Sequence, residues 1–91
     1  MAQRVFYRLA DGIRLEPLGN TWATYSAASG DTVLLNTEAA AILELLEDGP
    51  KDAAYVAAAL AASTATDLVE MNEKLRFAWD QLLSAGLVQH A

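Results

Sequence analysis

Residues 29–46 read Ser29-Gly30-Asp31-Thr32-Val33-Leu34-Leu35-Asn36-Thr37-Glu38-Ala39-Ala40-Ala41-Ile42-Leu43-Glu44-Leu45-Leu46, and the apolar pattern changes character midway. Ser29-Gly30-Asp31 is a tight turn in which Gly30 can take positive φ. Thr32-Val33-Leu34-Leu35 is a strand, and its three consecutive apolar residues predict cover on both faces. From Asn36 onward the period is helical. Asn36 or Thr37 caps a helix whose apolar positions are Ala39, Ile42, Leu43 and Leu46. Gly49-Pro50 ends it, because Gly suits the left-handed position after a helix and Pro cannot continue one.

Upstream of this switch the chain reads as strands and turns. Val5 to Leu9 is rich in aromatic and branched residues, and Asp11-Gly12 then marks a turn. Ile13-Arg14-Leu15-Glu16 alternates apolar and polar, and Pro17 with Gly19-Asn20 closes that segment. Thr21 to Ala27 is the next strand, with Trp22 and Tyr25 on opposite faces. Downstream the reading is helical. A second helix, nearly all alanine, spans about Asp52 to Ala62, and Ser63 to Thr66 connects it to the third. Asp67 followed by Glu70 resembles a capping box. The third helix runs from about Leu68 to Ala85, with Leu68, Met71, Leu75, Ala78, Trp79 and Leu82 on one apolar stripe. Gly86 stops it, and Leu87-Val88 adds a short final strand or packs on the core.

Composition narrows the function classes. Apolar residues make up 54% and charged residues 20% of the 91, a globular balance for one domain over residues 1–91. No stretch has the ~20 apolar residues of a membrane span. Met1 to Arg8 has no apolar core of a secretion signal. There is no cysteine, which removes disulfides and thiolate chemistry and fits a cytoplasmic setting. The net charge is −6, and all of it lies after Asn36, where Lys51, Lys74 and Arg76 face nine acids. An acidic half repels phosphate backbones, so nucleic acid is not the expected partner.

Catalytic constellations are missing from the sequence. The single histidine, His90, is one residue from the end, where a frayed side chain is the expectation. It provides no metal cluster, and the scattered glycines form no phosphate loop. Ser26, Ser29 and Ser63 have no adjacent base, so neither an enzyme nor a cofactor is expected. Two features remain. The apolar strand Thr32-Val33-Leu34-Leu35 belongs to a very short sheet, whose edges offer unpaired backbone groups to an extended peptide. Phe77 lies opposite the apolar stripe of the third helix, among Glu70, Glu73, Lys74, Asp80, Gln81 and Ser84, where it either binds something or packs on another element.

The run from Ser29 to Asn36, followed by Ala39-Ala40, Ile42-Leu43, Leu45-Leu46 and Gly49-Pro50, and closed by Leu82-Leu83 and Gly86-Leu87-Val88, resembles the PqqD-like peptide chaperones, also called RiPP recognition elements. The Trp22 strand and the Ser-Gly-Asp-Thr turn look most like the branch associated with HPr-kinase-related proteins. The resemblance covers roughly residues 5–89. It implies an α+β winged helix-turn-helix: an N-terminal three-stranded antiparallel sheet, then three helices. It also implies a leader peptide added as a strand beside Thr32, Val33, Leu34 and Leu35, in a groove walled by the third helix. Met71, Lys74 and Ala78 share one flank of that helix's stripe, Arg76 and Leu83 the other, and the sequence leaves open which faces the groove. The implied partners are a precursor peptide and a modifying enzyme, HPr-kinase-like or radical. The family usually has Ser or Thr where this chain has Lys51, so Asp52 is expected to cap the second helix. Two alternatives stand beside this reading. One is a DNA-binding winged helix, which the acidic helices disfavour. The other is a homodimeric scaffold subunit joined through the second helix or Phe77.

Overall fold

The computed structural model describes residues 5–27 and 29–91. Met1 to Arg4, on which the absence of a secretion signal was partly read, lie outside the described residues. The elements are β1 (Phe6–Leu9), β2 (Ile13–Leu18), β3 (Thr21–Ser26), β4 (Thr32–Leu35), α1 (Thr37–Leu46), β5 (Lys51–Asp52), α2 (Ala53–Thr64), α3 (Leu68–Ser84) and β6 (Val88–His90). The expected fold class holds: a three-stranded antiparallel meander, β2-β3-β4, precedes three helices in an α+β, winged-helix-like arrangement.

The first strand joins a different sheet. β1 lies between β5 and β6 in a second antiparallel sheet, with Tyr7 opposite Lys51 on one side and His90 on the other. Tyr7 also stacks on Trp79 of α3, with ring centroids 4.1 Å apart and planes 19° from parallel. This contact pins β1 to the helical layer. His90, expected to fray, is instead held in β6, its ring 4.8 Å from that of Tyr7.

The core lies between α1, α2, α3 and the inner sheet faces. Leu35, Ile42, Leu43, Leu46, Val56, Leu75, Leu82 and Leu87 are all buried in one cluster. Three expectations about it change. Leu68 is 48% exposed, so the stripe of α3 that packs inward begins at Met71. Asp67 occupies the cap position of α3 but makes no side-chain cap bond. Pro17 does not end its strand, and β2 continues through it to Leu18.

Helix starts follow the sequence signals elsewhere. Asn36 Oδ1 accepts from the Ala39 N–H at 2.9 Å, and Asp52 Oδ1 accepts from the Ala54 N–H at 2.9 Å, as expected for the chain with lysine at 51. α2 runs on to Thr64 and is closed by Ala65 in the left-handed region, φ 54° and ψ 37°. A side chain there is strained, typically by about 1–2 kcal/mol. Ala65→Gly should therefore raise stability by about 0.5–1 kcal/mol, offset in part by the added freedom of the unfolded chain. Denaturant unfolding would show it as a higher midpoint at constant slope. An unchanged or lower midpoint would mean the αL turn carries no strain.

Candidate functional site

Hydrogen-bond parity in the meander shows which backbone groups its margin exposes. β3 pairs with β4 through Trp22–Leu35, Ala23–Leu34, Thr24–Val33 and Tyr25–Thr32. The Ser26 N–H donates to the Asp31 carbonyl, and the Thr24 hydroxyl donates to the Val33 carbonyl at 3.2 Å. Residues 31, 33 and 35 thus turn their backbone groups toward β3. In a strand, alternate residues point opposite ways. Thr32 and Leu34 therefore direct their N–H and C=O groups outward, past the sheet. Among the described residues no strand pairs with that side of β4.

Side chains alternate the other way, between faces. Leu35 is buried and Val33 half-buried toward the helices. Leu34 points to the opposite face and is 58% exposed, which corrects the expectation that both faces are covered. The three-residue apolar run is a one-sided strand with an extra leucine on its outer face.

One contact links a flank of α3 to this margin. Gln81 Nε2 donates to the Leu34 carbonyl at 3.5 Å, a long bond to one of the outward groups. On a helical wheel Glu70, Lys74, Phe77 and Gln81 lie within about 60° of one another, a single line along the helix. Lys74 pairs with Glu70 at 3.7 Å along it. Phe77, one turn before Gln81, is 77% exposed. Met71 and Ala78 are buried behind this line and form part of the core. Arg76 sits about 140° from Gln81 on the wheel, on the far flank with half-buried Leu83. The structure thus turns the backbone groups of Thr32 and Leu34 outward with Val33 half-buried between them, leaves Lys74 and Phe77 exposed on the line of α3 that holds Gln81, buries Leu35, Met71 and Ala78 in the core, and sets Arg76 on the far flank of α3. Gln81 was not singled out as a site residue, although it was visible as a neighbour of Phe77 at helical spacing.

The remaining margins are less open to a guest. On β2 the Ala27 N–H donates to the Gly12 carbonyl, and counting on by parity turns Pro17 outward. Proline has no N–H, so this edge lacks a donor near its C-terminal end, while Ile13 and Leu15 keep theirs. Arg14 and Glu16 pair across that strand at 3.1 Å. β5 has two residues and β6 three, both short for an edge.

Elsewhere, a cleft of about 450 Å³ opens between Leu9 to Ile13 and the end of α1 at Leu46 and Glu47. Its charged lining includes the Arg8–Asp11 pair, 3.5 Å apart. Among the described residues no three His, Cys, Asp or Glu side chains converge on a metal position, and no helix is long and apolar enough to cross a membrane.

No family model matches the chain, and no curated protein matches it. Among solved structures it is similar to TbiB1 in complex with the TbiA(beta) leader peptide, with a TM-score of 0.74 and 20% sequence identity over 90% of this chain and 94% of that one. At that identity the shared property is the fold.

Proposed function

We propose that this protein is a non-catalytic peptide chaperone that captures a leader or precursor peptide as an added strand on β4 and presents it to a modifying enzyme. The observation that carries the reading is the outward-facing backbone of Thr32 and Leu34 beside α3. An antiparallel guest would exchange hydrogen bonds with these two residues, each contributing about 0.5–1.5 kcal/mol net. Its N–H would replace the long Gln81 contact at the Leu34 carbonyl. Guest side chains facing inward would meet Val33 and the line from Lys74 to Gln81. Those facing outward would lie beside Leu34, within the 4.5–5.5 Å of a cross-strand pair.

Two further points support this. The fold is shared with TbiB1, whose solved structure holds a leader peptide. The resemblance to PqqD-like chaperones implies a guest on the same strand. Covalent modification belongs, in this reading, to a separate enzyme. The Trp22 strand and the Ser29–Thr32 turn favour an HPr-kinase-like partner over a radical enzyme.

The test is selection of displayed random 12-residue peptides on the domain, followed by titration of isotope-labelled protein. Retained peptides should move the backbone amides of residues 32–35 together with Lys74, Phe77 and Gln81. Perturbations confined to the Arg8–Pro50 cleft or to the α2 surface would end the proposal.

A further inference from the structure

We infer that two copies of this protein pair through β4 about a twofold axis at Val33, each strand capping the other's open margin. The pairing uses the outward N–H and C=O groups of Thr32 and Leu34 and needs no peptide, so it stands apart from strand capture of a guest. Edge strands are commonly kept apart by charge, proline or brevity. β2 carries Arg14, Glu16 and Pro17, and β5 is only Lys51-Asp52. β4, reading Thr32-Val33-Leu34-Leu35, has neither charge nor proline, and its Leu34 is 58% exposed.

Backbone partners already in place select the register. If Thr32 faced its own mate, Leu34 would fall opposite Gly30, whose N–H is donated to the Ser26 carbonyl at 2.8 Å. If Leu34 faced its own mate, Thr32 would fall opposite Asn36, whose carbonyl already accepts from the Ala40 N–H at 3.1 Å. Setting Thr32 against the partner's Leu34 instead matches every outward N–H of β4 with an outward C=O. Half-buried Val33 then meets its mate at the closer spacing of about 4.5 Å, and each Leu34 lies beside a Thr32 on the outer face. Gln81, exposed and 3.5 Å from the Leu34 carbonyl, gives up that acceptor to the partner. The two Asp31 residues stand about 14 Å apart in this register, beyond the ~8 Å screening length of physiological salt. So short a pairing buries less than the about 1,000 Å² of a stable interface, which makes the pair transient, with a dissociation constant on the order of 100 µM.

Sedimentation equilibrium without peptide, from about 10 µM to about 1 mM, should show the average mass rising from one chain toward two. The rise should be steeper at higher salt, because each copy carries a net charge of −6. Over the same range the backbone amides of Thr32 and Leu34 should shift. The double variant Thr32→Glu/Leu34→Glu sets like charges opposite each other and should weaken the pair about tenfold. Thr32→Lys/Leu34→Glu sets opposite charges across the same register and should restore it. Both positions are exposed, and thermal melts report that each variant is folded. A protein that stays monomeric at about 1 mM, or a pair that the two variants affect equally, would overturn the twofold pairing. Strand capture would survive that result if a selected peptide still moved residues 32–35. A pair that forms as described in a domain that no selected peptide perturbs would support this inference and end strand capture.

Discussion

A Leu34→Pro domain should fold and yet bind a selected peptide about tenfold to a hundredfold more weakly. The N–H at position 34 points away from β3, so proline there removes no bond of the β3–β4 ladder. It removes instead a donor that the guest needs and the exposed leucine beside the guest strand. One or two lost hydrogen bonds at about 0.5–1.5 kcal/mol each, with the lost apolar contact, account for that range. Edge strands tolerate proline where the N–H faces solvent, and Pro17 already occupies such a position on β2. The neighbouring change should behave oppositely. Val33→Pro deletes an N–H directed at Thr24 and should break the strand, lowering thermal stability sharply. Titration at a temperature where both variants are checked for folding separates the two effects. Unchanged affinity in a folded Leu34→Pro domain would place the guest elsewhere.

The second large effect concerns stability. Leu82 is fully buried where α3 meets the rest of the core. Leu82→Ala should cost about 3 kcal/mol, from lost transfer energy and the cavity left behind. A domain of this size has only about 5–15 kcal/mol in total. The melting temperature should fall by about 12–24 °C. Phe77→Ala, on the opposite side of the same helix, should change stability by no more than about 0.5 kcal/mol. Calorimetry on the pair would check both. Equal losses would mean that Phe77 packs against the domain rather than standing open.

Local signals gave up most of the fold. The change at Asn36, the stop at Gly49-Pro50 and the Asp52 cap each depend on a few adjacent residues and were legible. Apart from the missing cap bond of Asp67, what failed depended on distant partners. β1 joins β6, some eighty positions along the chain, and nothing near Phe6 to Leu9 encodes that choice. His90 is ordered for the same reason. Leu34 was misread because a run of three apolar residues suits a strand covered on one face or on two, and only the neighbouring sheet decides. The margin itself was legible from the shortness of the sheet. The flank of α3 beside it was not, because the link between them is a long-range contact from Gln81 to Leu34. Pro17 was read as punctuation, since the direction of a missing N–H depends on strand pairing.

Pro17 also limits how copies of this protein can assemble. A sheet with two receptive margins can recruit neighbours on both sides and grow into a fibre. Here Pro17 removes one of the outward donors of β2 and disfavours growth from that margin, so a second copy docked against Thr32 to Leu35 of the first would form a twofold pair rather than seed a fibre. Such a pair would hide the margin proposed for a peptide, so high protein concentration would compete with peptide binding.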